Sequence, residues 1–138
     1  MVHSVPDCGF ARAYIVEEQQ GILVIDAGSR GASEKILQCV KGRLGRRADD
    51  IRLIAATHFH VDHISGISHL ISFCSASAKV LFHHRVREYL ERSRKISKMR
   101  HWAGGLLPAA LASARYVSCP ADISFGAGGI PLPVLRGL

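Results

Sequence analysis

The sequence lacks several features that would place it in a specialised class. Its four cysteines, at positions 8, 39, 74 and 119, are far apart and form no CxxC pair, so neither a thiolate zinc site nor a disulfide framework is indicated. No stretch approaches the roughly 18 apolar residues of a membrane-spanning helix, and the first residues lack the charged start and apolar run of a signal peptide. We therefore expect a protein of the reducing cytoplasm that does not contact a membrane.

Acidic residues are also scarce, since the chain has 11 Asp and Glu against 18 Lys and Arg, a formal net charge of +7. The excess is local, because residues 85–100 contain seven basic and two acidic side chains. Glu88 with Arg92 and Glu91 with Lys95 have the spacing of helix ion pairs, which favours a solvated helix face. An anion-binding or nucleic-acid surface is the alternative, but aromatic residues are not interleaved with the arginines as a base-stacking platform requires.

The length and composition are those of one globular domain. The chain has 138 residues, 48% hydrophobic and 21% charged, and no low-complexity tract, linker or internal repeat interrupts it. Apolar runs at residues 14–17 and 22–26 predict two antiparallel strands joined by a turn. A helix is predicted after them from the spacing of four apolar residues, Ile36, Leu37, Val40 and Leu44. We expect a single domain over residues 1–138.

Strands and helices continue to alternate along the chain. The run "IRLIAAT", residues 51–57, is apolar nearly throughout, which is typical of a strand covered on both faces. Helical spacing follows from Ile64 to Cys74, and "KVLFH", residues 79–83, predicts another strand. After the basic segment, "ADISFGAGGIPLPVLRGL" is typical of a hairpin with "GAGG" at its turn. This order of elements predicts a mixed α/β fold.

The stretch "HFHVDH", residues 58–63, lies in the loop between a predicted buried strand and the next helix. Side chains two apart in an extended segment point the same way, so His58 and His60 can bind one metal ion, while Asp62 and His63 can face a second. Two neighbouring ions suit hydrolysis, because they lower the pKa of a shared water and hold the substrate's oxygen. The alternative is that these are incidental polar residues of a loop. We expect that of the remaining histidines: His3, His69, His83, His84 and His101.

The sequence "THFHVDHISG" resembles the HxHxDH signature of the metallo-β-lactamase superfamily, and "YIVEEQQGILVIDAG" is similar to that family's opening hairpin and Asp-x-Gly turn. The resemblance covers about residues 11–84 and implies the first half of an αββα sandwich. It implies that His58 and His60 bind a first metal ion and that Asp62 and His63 bind a second, with zinc expected and iron or manganese as alternatives. It further implies that Asp26 supports the site and that Asp62 orients or deprotonates the attacking water.

The same resemblance implies metal ligands that this sequence does not contain. In the family, the second half of the sandwich supplies another histidine, a bridging aspartate and a last histidine. We therefore expect a truncated domain in which the ion held by His58 and His60 lacks the third protein ligand of a catalytic zinc. Replacement of that ligand by His83 or His84 is disfavoured. A sheet without its partner half exposes an apolar face, so we expect the chain alone to dimerise, aggregate or be marginally stable.

Three interpretations follow. The first is a metal-dependent hydrolase in which metal-bound hydroxide attacks a small ester, thioester or lactam, with a glyoxalase II-like (thio)ester preferred and activity impaired by the truncation. The second is a non-catalytic remnant or interaction module. The third and weakest is a nucleic-acid-processing member of the superfamily, supported only by residues 85–100, so nucleic acid is not the expected partner.

Overall fold

The computed structural model describes residues 1–85, 88 and 123–125. In these residues six strands form one sheet: β1 (Val2–Val5), β2 (Ala13–Glu18), β3 (Gly21–Ile25), β4 (Ile51–Ala55), β5 (Lys79–His83) and β6 (Ile123–Phe125). Helices α1 (Ala32–Gln38), α2 (Val61–Ile64) and α3 (Ile67–Ile71) accompany it. A π-helical turn (Cys39–Arg43) continues α1, and a 3₁₀ turn (Ala48–Asp50) leads into β4.

The strands lie in the sheet in the order in which they occur in the chain. The first three strands pair antiparallel, whereas β3, β4, β5 and β6 pair parallel to one another. The carboxyl ends of β3 and β4 therefore meet at one edge of the sheet, where the loops that follow them come together. The antiparallel pair predicted at residues 14–17 and 22–26 is confirmed, as are the strands predicted at 51–57 and 79–83. The sequence did not predict β1.

The main core lies between one face of the sheet and helices α1 and α3. Ile15, Val24, Ile54 and Val80 are aligned across four neighbouring strands, and each is 1% exposed or less. These side chains belong to the same buried cluster as apolar residues of the two helices. The predicted helix face is confirmed, because Ile36 and Val40 are buried in this cluster and Leu37 and Leu44 pack against it.

The opposite face of the sheet is covered unevenly. Leu53 on β4 and Leu81 on β5 are buried, whereas Tyr14 on β2 is 41% exposed. Since Leu53 and Ile54 are buried on opposite faces of β4, the prediction of a strand covered on both sides is confirmed. The prediction of one continuous helix from Ile64 to Cys74 was wrong, because Ser65 and Gly66 separate α2 from α3. Ser65, expected on a polar face, is buried.

Two predictions fall largely on residues that the structure does not describe. Strand β6 corresponds to the first arm of the predicted terminal hairpin and pairs parallel with β5, while the turn and second arm lie outside the described residues. Most of the basic segment, residues 86, 87 and 89–100, also lies outside them. Among the described residues, no helix has the length and apolar character required to cross a membrane.

Candidate metal site

Asp26 stands at the point where β3 ends and the chain turns toward α1. Its backbone has φ of 59°, a left-handed conformation that aspartate and asparagine tolerate better than most residues. The Asp26 backbone N–H donates to the Ala55 carbonyl at 2.8 Å, which fixes this turn to the end of β4. Asp26 is buried, with 3% of the residue exposed, so the carboxylate is placed beneath the loop that follows β4.

Three groups donate hydrogen bonds to the buried Asp26 carboxylate. The Thr57 backbone N–H donates to Oδ1 at 2.8 Å, and the Thr57 hydroxyl lies 2.8 Å from Oδ2 and 3.0 Å from Oδ1. Nδ1 of His63 lies 2.8 Å from Oδ2. A buried carboxylate is stabilised by charge-assisted bonds of this kind, so Asp26 organises the loop from beneath.

These contacts assign the tautomer of His63. An ionised carboxylate only accepts hydrogen bonds, so the hydrogen of the Asp26–His63 bond belongs to Nδ1 of His63. Nε2 then retains its lone pair and is the nitrogen left to bind a metal ion. A histidine ligand whose other ring nitrogen donates to a carboxylate is the usual arrangement in metal sites, because it fixes the ring and makes the ligating nitrogen more basic.

The hydroxyl of Thr57 extends the same assignment to His58. Thr57 Oγ1 lies 3.0 Å from Nδ1 of His58, and its single hydrogen is directed to the Asp26 carboxylate. The oxygen must then accept from His58, which places the hydrogen on Nδ1 and leaves Nε2 of His58 with its lone pair. One buried carboxylate thus sets the tautomers of two histidines, directly for His63 and through Thr57 for His58.

The predicted metal ligands are neighbours in the structure. The ring centroids of His58 and His60 lie 4.6 Å apart, and those of His58 and His63 lie 4.0 Å apart. Oδ2 of Asp62 is 3.7 Å from Nε2 of His63. Two ligands of a tetrahedral zinc, each about 2.1 Å from the ion, are separated by about 3.4 Å. The Asp62–His63 pair therefore fits a shared ion.

The described residues supply ligand pairs and not a complete centre. Among residues 1–85, 88 and 123–125, no group of three or more His, Cys, Asp or Glu side chains has the arrangement of a metal site. His83 and His84, at the end of β5, have ring centroids 4.4 Å apart and belong to no such group. The roles of His58, His60, Asp62 and His63 as ligands, and of Asp62 in catalysis, stay predictions.

Close backbone packing joins the Asp26 turn to the end of α2. The Ala27 N–H donates to the His63 carbonyl at 2.9 Å, and the Gly66 N–H donates to the Gly28 carbonyl at 3.0 Å. A Cβ atom at Gly66 would overlap the Ala27 carbonyl oxygen, so only glycine permits this approach. Gly28 has φ of +66° and lies against Cys8. Both glycines bring the segments that carry Asp26 and His63 together.

Two contributors escaped sequence reasoning. The apolar run of residues 51–57 indicates Thr57 only as the end of a strand, although a hydroxyl residue directly before a histidine cluster is a signal of a role in the site. His69 was expected to be incidental, but its Nδ1 lies 2.5 Å from the hydroxyl of Ser33. That partner is 36 residues away in the chain, and no local pattern indicates it.

The solved structures that are similar to this chain include metallo-β-lactamases. MEM-A1, a subclass B3 metallo-β-lactamase isolated from a soil metagenome library, is 31% identical with a TM-score of 0.57 over 64% of this chain and 32% of its own. The metallo-β-lactamase of Cronobacter sakazakii is 32% identical with a TM-score of 0.52 over 59% and 30%. Rm3 metallo-β-lactamase is 29% identical with a TM-score of 0.56 over 64% and 32%.

The matched region covers 30% to 32% of these proteins, so it spans about a third of their length. The expected fold, a partial metallo-β-lactamase sandwich, is confirmed by this similarity. No curated protein matches the sequence. The family model of the metallo-beta-lactamase superfamily matches residues 6–101, which include every residue of the site described above. The chain belongs to the metallo-beta-lactamase superfamily.

Proposed function

We propose that the loop of residues 57–63, together with Asp26, is the metal-binding part of a metal-dependent hydrolase, with up to two zinc ions as the expected cofactor. The observation that carries this proposal is the hydrogen-bond chain from His58 through Thr57 to Asp26 and from His63 to the same carboxylate. It leaves Nε2 of both histidines available to a cation. Incidental loop histidines do not require a shared buried carboxylate, whereas metal ligands commonly have one.

When bound, zinc supplies a Lewis acid that lowers the pKa of water and polarises a substrate oxygen. The protein's contribution is to hold the ligands and to keep their protons away from the metal side of each ring. To Asp62, whose side chain is 32% exposed, we assign the role of orienting a water molecule or accepting its proton. The tautomers of His58 and His63 depend on the Asp26 carboxylate beneath the loop.

A catalytic zinc is held by three protein ligands plus water, and the described residues contribute pairs. We therefore propose that a complete site draws further ligands from outside the described residues or from another chain. Association of two copies is one such route, and the exposed Tyr14 and Val2 on the second sheet face support it. Light scattering behind a size-exclusion column tests it, because a stable monomer under zinc-loaded conditions would argue against that route.

For the substrate we propose a small ester, thioester or lactam, and we retain a glyoxalase II-like thioester as the preferred class. The names of the similar structures, all metallo-β-lactamases, make a β-lactam the first competitor. Parallel assays with a chromogenic cephalosporin and a glutathione thioester, each with added zinc and with a chelator, distinguish the two. Turnover that needs zinc and is lost in a His58→Ala/His60→Ala variant supports the proposal. Equal rates with and without zinc would contradict it.

A non-catalytic interaction module is the second candidate, favoured by the ligand pairs described above. It predicts zinc-independent partner binding and no turnover.

The nucleic-acid interpretation has less support, since most of residues 85–100 lie outside the described residues. Its test is binding to a nucleic-acid duplex at rising salt, where a steep loss of affinity is expected of phosphate contacts. A cytoplasmic location also stays a proposal, supported by the free thiols of Cys8, Cys39 and Cys74.

A further inference from the structure

A second histidine hydrogen bond lies beyond the metal loop, between helices α1 and α3. Nδ1 of His69 is 2.5 Å from the hydroxyl of Ser33. Ser33 is fully buried at 0% exposure, and the His69 ring also packs edge-on against Phe73 with centroids 5.0 Å apart. The Ser33 hydroxyl has a second, longer hydrogen bond, in which it donates to the Arg30 carbonyl at 3.4 Å. The bond to His69 is therefore its principal contact.

The two helices continue directly from the two segments that build the site. Helix α1 begins at Ala32, six residues after Asp26, and α3 begins at Ile67, four residues after His63. Between these points the segments are joined by the Ala27–His63 and Gly66–Gly28 backbone hydrogen bonds. We call this region, residues 26–28 with 63–66, the junction. The Ser33–His69 bond is the next connection along the same two segments.

A single hydrogen bond of this kind contributes too little to stability to decide whether the domain folds. It is enough to change how often a short segment opens locally. Gly66 directly precedes α3 and is bonded to its first turn, because the Leu70 N–H donates to the Gly66 carbonyl at 2.9 Å. A movement of α3 relative to α1 is therefore transmitted to Gly66, and through it to the turn that carries His63.

We infer that Ser33 and His69 are positioning residues, which hold α3 against α1 and thereby keep Asp62 and His63 in register with Asp26. Neither residue reaches the metal loop itself. Their effect passes through the junction, where the backbone of the ligand-bearing segment lies against the Asp26 turn. The consequence for metal affinity rests on the proposed function, whereas the consequence for the junction does not.

The first test is amide hydrogen exchange of the metal-free chain, measured by NMR for wild type and Ser33→Ala. We expect exchange of the Ala27 and Gly66 amides to rise about tenfold, the equivalent of about 1.4 kcal/mol, while the Val24 amide in the core strand changes less than twofold. His69→Ala, at a side chain that is partly exposed, should change the exchange of the same amides. His69→Asn, which keeps a polar atom near the Nδ1 position, should restore slow exchange.

Two controls separate positioning from general loss of stability. Val40→Ala, on the π-helical turn that continues α1, removes buried apolar volume and should accelerate the Val24, Ala27 and Gly66 amides together. The double variant Ser33→Ala/His69→Ala should exchange no faster at the junction than His69→Ala alone, because the Ser33–His69 bond is already lost in that single variant. Junction amides unchanged in Ser33→Ala and His69→Ala, or accelerated only together with Val24, would overturn the inference.

The second readout is zinc affinity by competition with a chromophoric chelator. Residues that orient ligands typically change metal affinity by about 10–100-fold, and a more remote pair should give an effect near the lower end, about tenfold. If the junction amides exchange faster in Ser33→Ala and His69→Ala but the wild-type chain binds no zinc, the proposed function is refuted and the mechanical coupling stands. Unchanged junction exchange together with normal zinc binding would refute the coupling alone.

Discussion

Replacing Asp26 with asparagine tests the hydrogen-bond chain beneath the metal loop. The two side chains have the same shape, and asparagine tolerates the left-handed backbone found here, φ of 59°. The Thr57 N–H can only donate, so the amide oxygen must take the position of Oδ1. The amide NH₂ then faces Nδ1 of His63 in place of the carboxylate oxygen that lies 2.8 Å from it. His63 must accept this bond, so its hydrogen moves to Nε2.

The Asp26→Asn substitution should affect metal binding more than stability. Loss of charge-assisted hydrogen bonds costs about 1.5–3 kcal/mol, which leaves a folded protein. With hydrogen on Nε2, His63 cannot ligate a metal without rearranging, so zinc affinity should fall about 10–100-fold. Two-bond ¹H–¹⁵N correlation spectra report the tautomer of His63, and chelator competition reports the affinity.

Asp49→Asn is the matched control, because Asp49 is a surface carboxylate, 53% exposed, that forms an ion pair with Arg47. That variant should leave both the tautomer of His63 and the zinc affinity unchanged. If Asp26→Asn keeps the hydrogen on Nδ1 of His63 and binds zinc within twofold of wild type, the assignment of the ligating nitrogen is wrong.

Three further predictions follow from the described contacts. Thr57→Val removes the hydroxyl between His58 and Asp26, so the Nε2–H tautomer of His58 should become populated and zinc affinity should fall about tenfold in the competition assay; an unchanged tautomer would contradict the relay. Gly66→Ala should lower the free energy of unfolding in urea by about 1–3 kcal/mol or more, because the added Cβ meets the Ala27 carbonyl. Gly42→Ala is the control: nothing lies within 4 Å of its added Cβ, so this substitution should be neutral or stabilising. Burial raises the pKa of the Cys74 thiol from 9.0 to about 11. The contribution of this thiol to stability should therefore be complete below pH 9.0 and decline toward pH 11. Urea titrations of wild type and Cys74→Ala across this pH range measure the decline, and an identical pH dependence in the two proteins would refute the prediction.

Local patterns predicted the elements that are written in the sequence as apolar runs bounded by turn residues. The hairpin of β2 and β3 and the buried strand β4 follow from apolar runs with turn residues between them, and burial of Ile15, Val24 and Ile54 confirms them. Strand β1 was missed because it has four residues and is followed at once by Pro6. It is a strand because its backbone pairs with β2, which is a tertiary contact.

The site divides in the same way. The position of the metal loop after a buried strand was predictable, because a change of hydrophobic period marks the end of β4. The break between α2 and α3 was not, since the helical spacing continues across Gly66, and what interrupts the helix is close packing against the Ala27 carbonyl. The contacts of Thr57 with Asp26 and of Ser33 with His69 join residues 31 and 36 positions apart. Such contacts become visible only when the fold is known.

Zinc content per chain at equilibrium addresses the proposed metal site itself. Wild type and His58→Ala/His60→Ala should be dialysed against the same buffered zinc concentration, confirmed as folded by circular dichroism, and analysed for bound metal. We predict zinc bound to the wild-type chain and lost from the double variant. Equal zinc in the two proteins, whether negligible or substantial, would mean that His58 and His60 do not hold a metal in this chain.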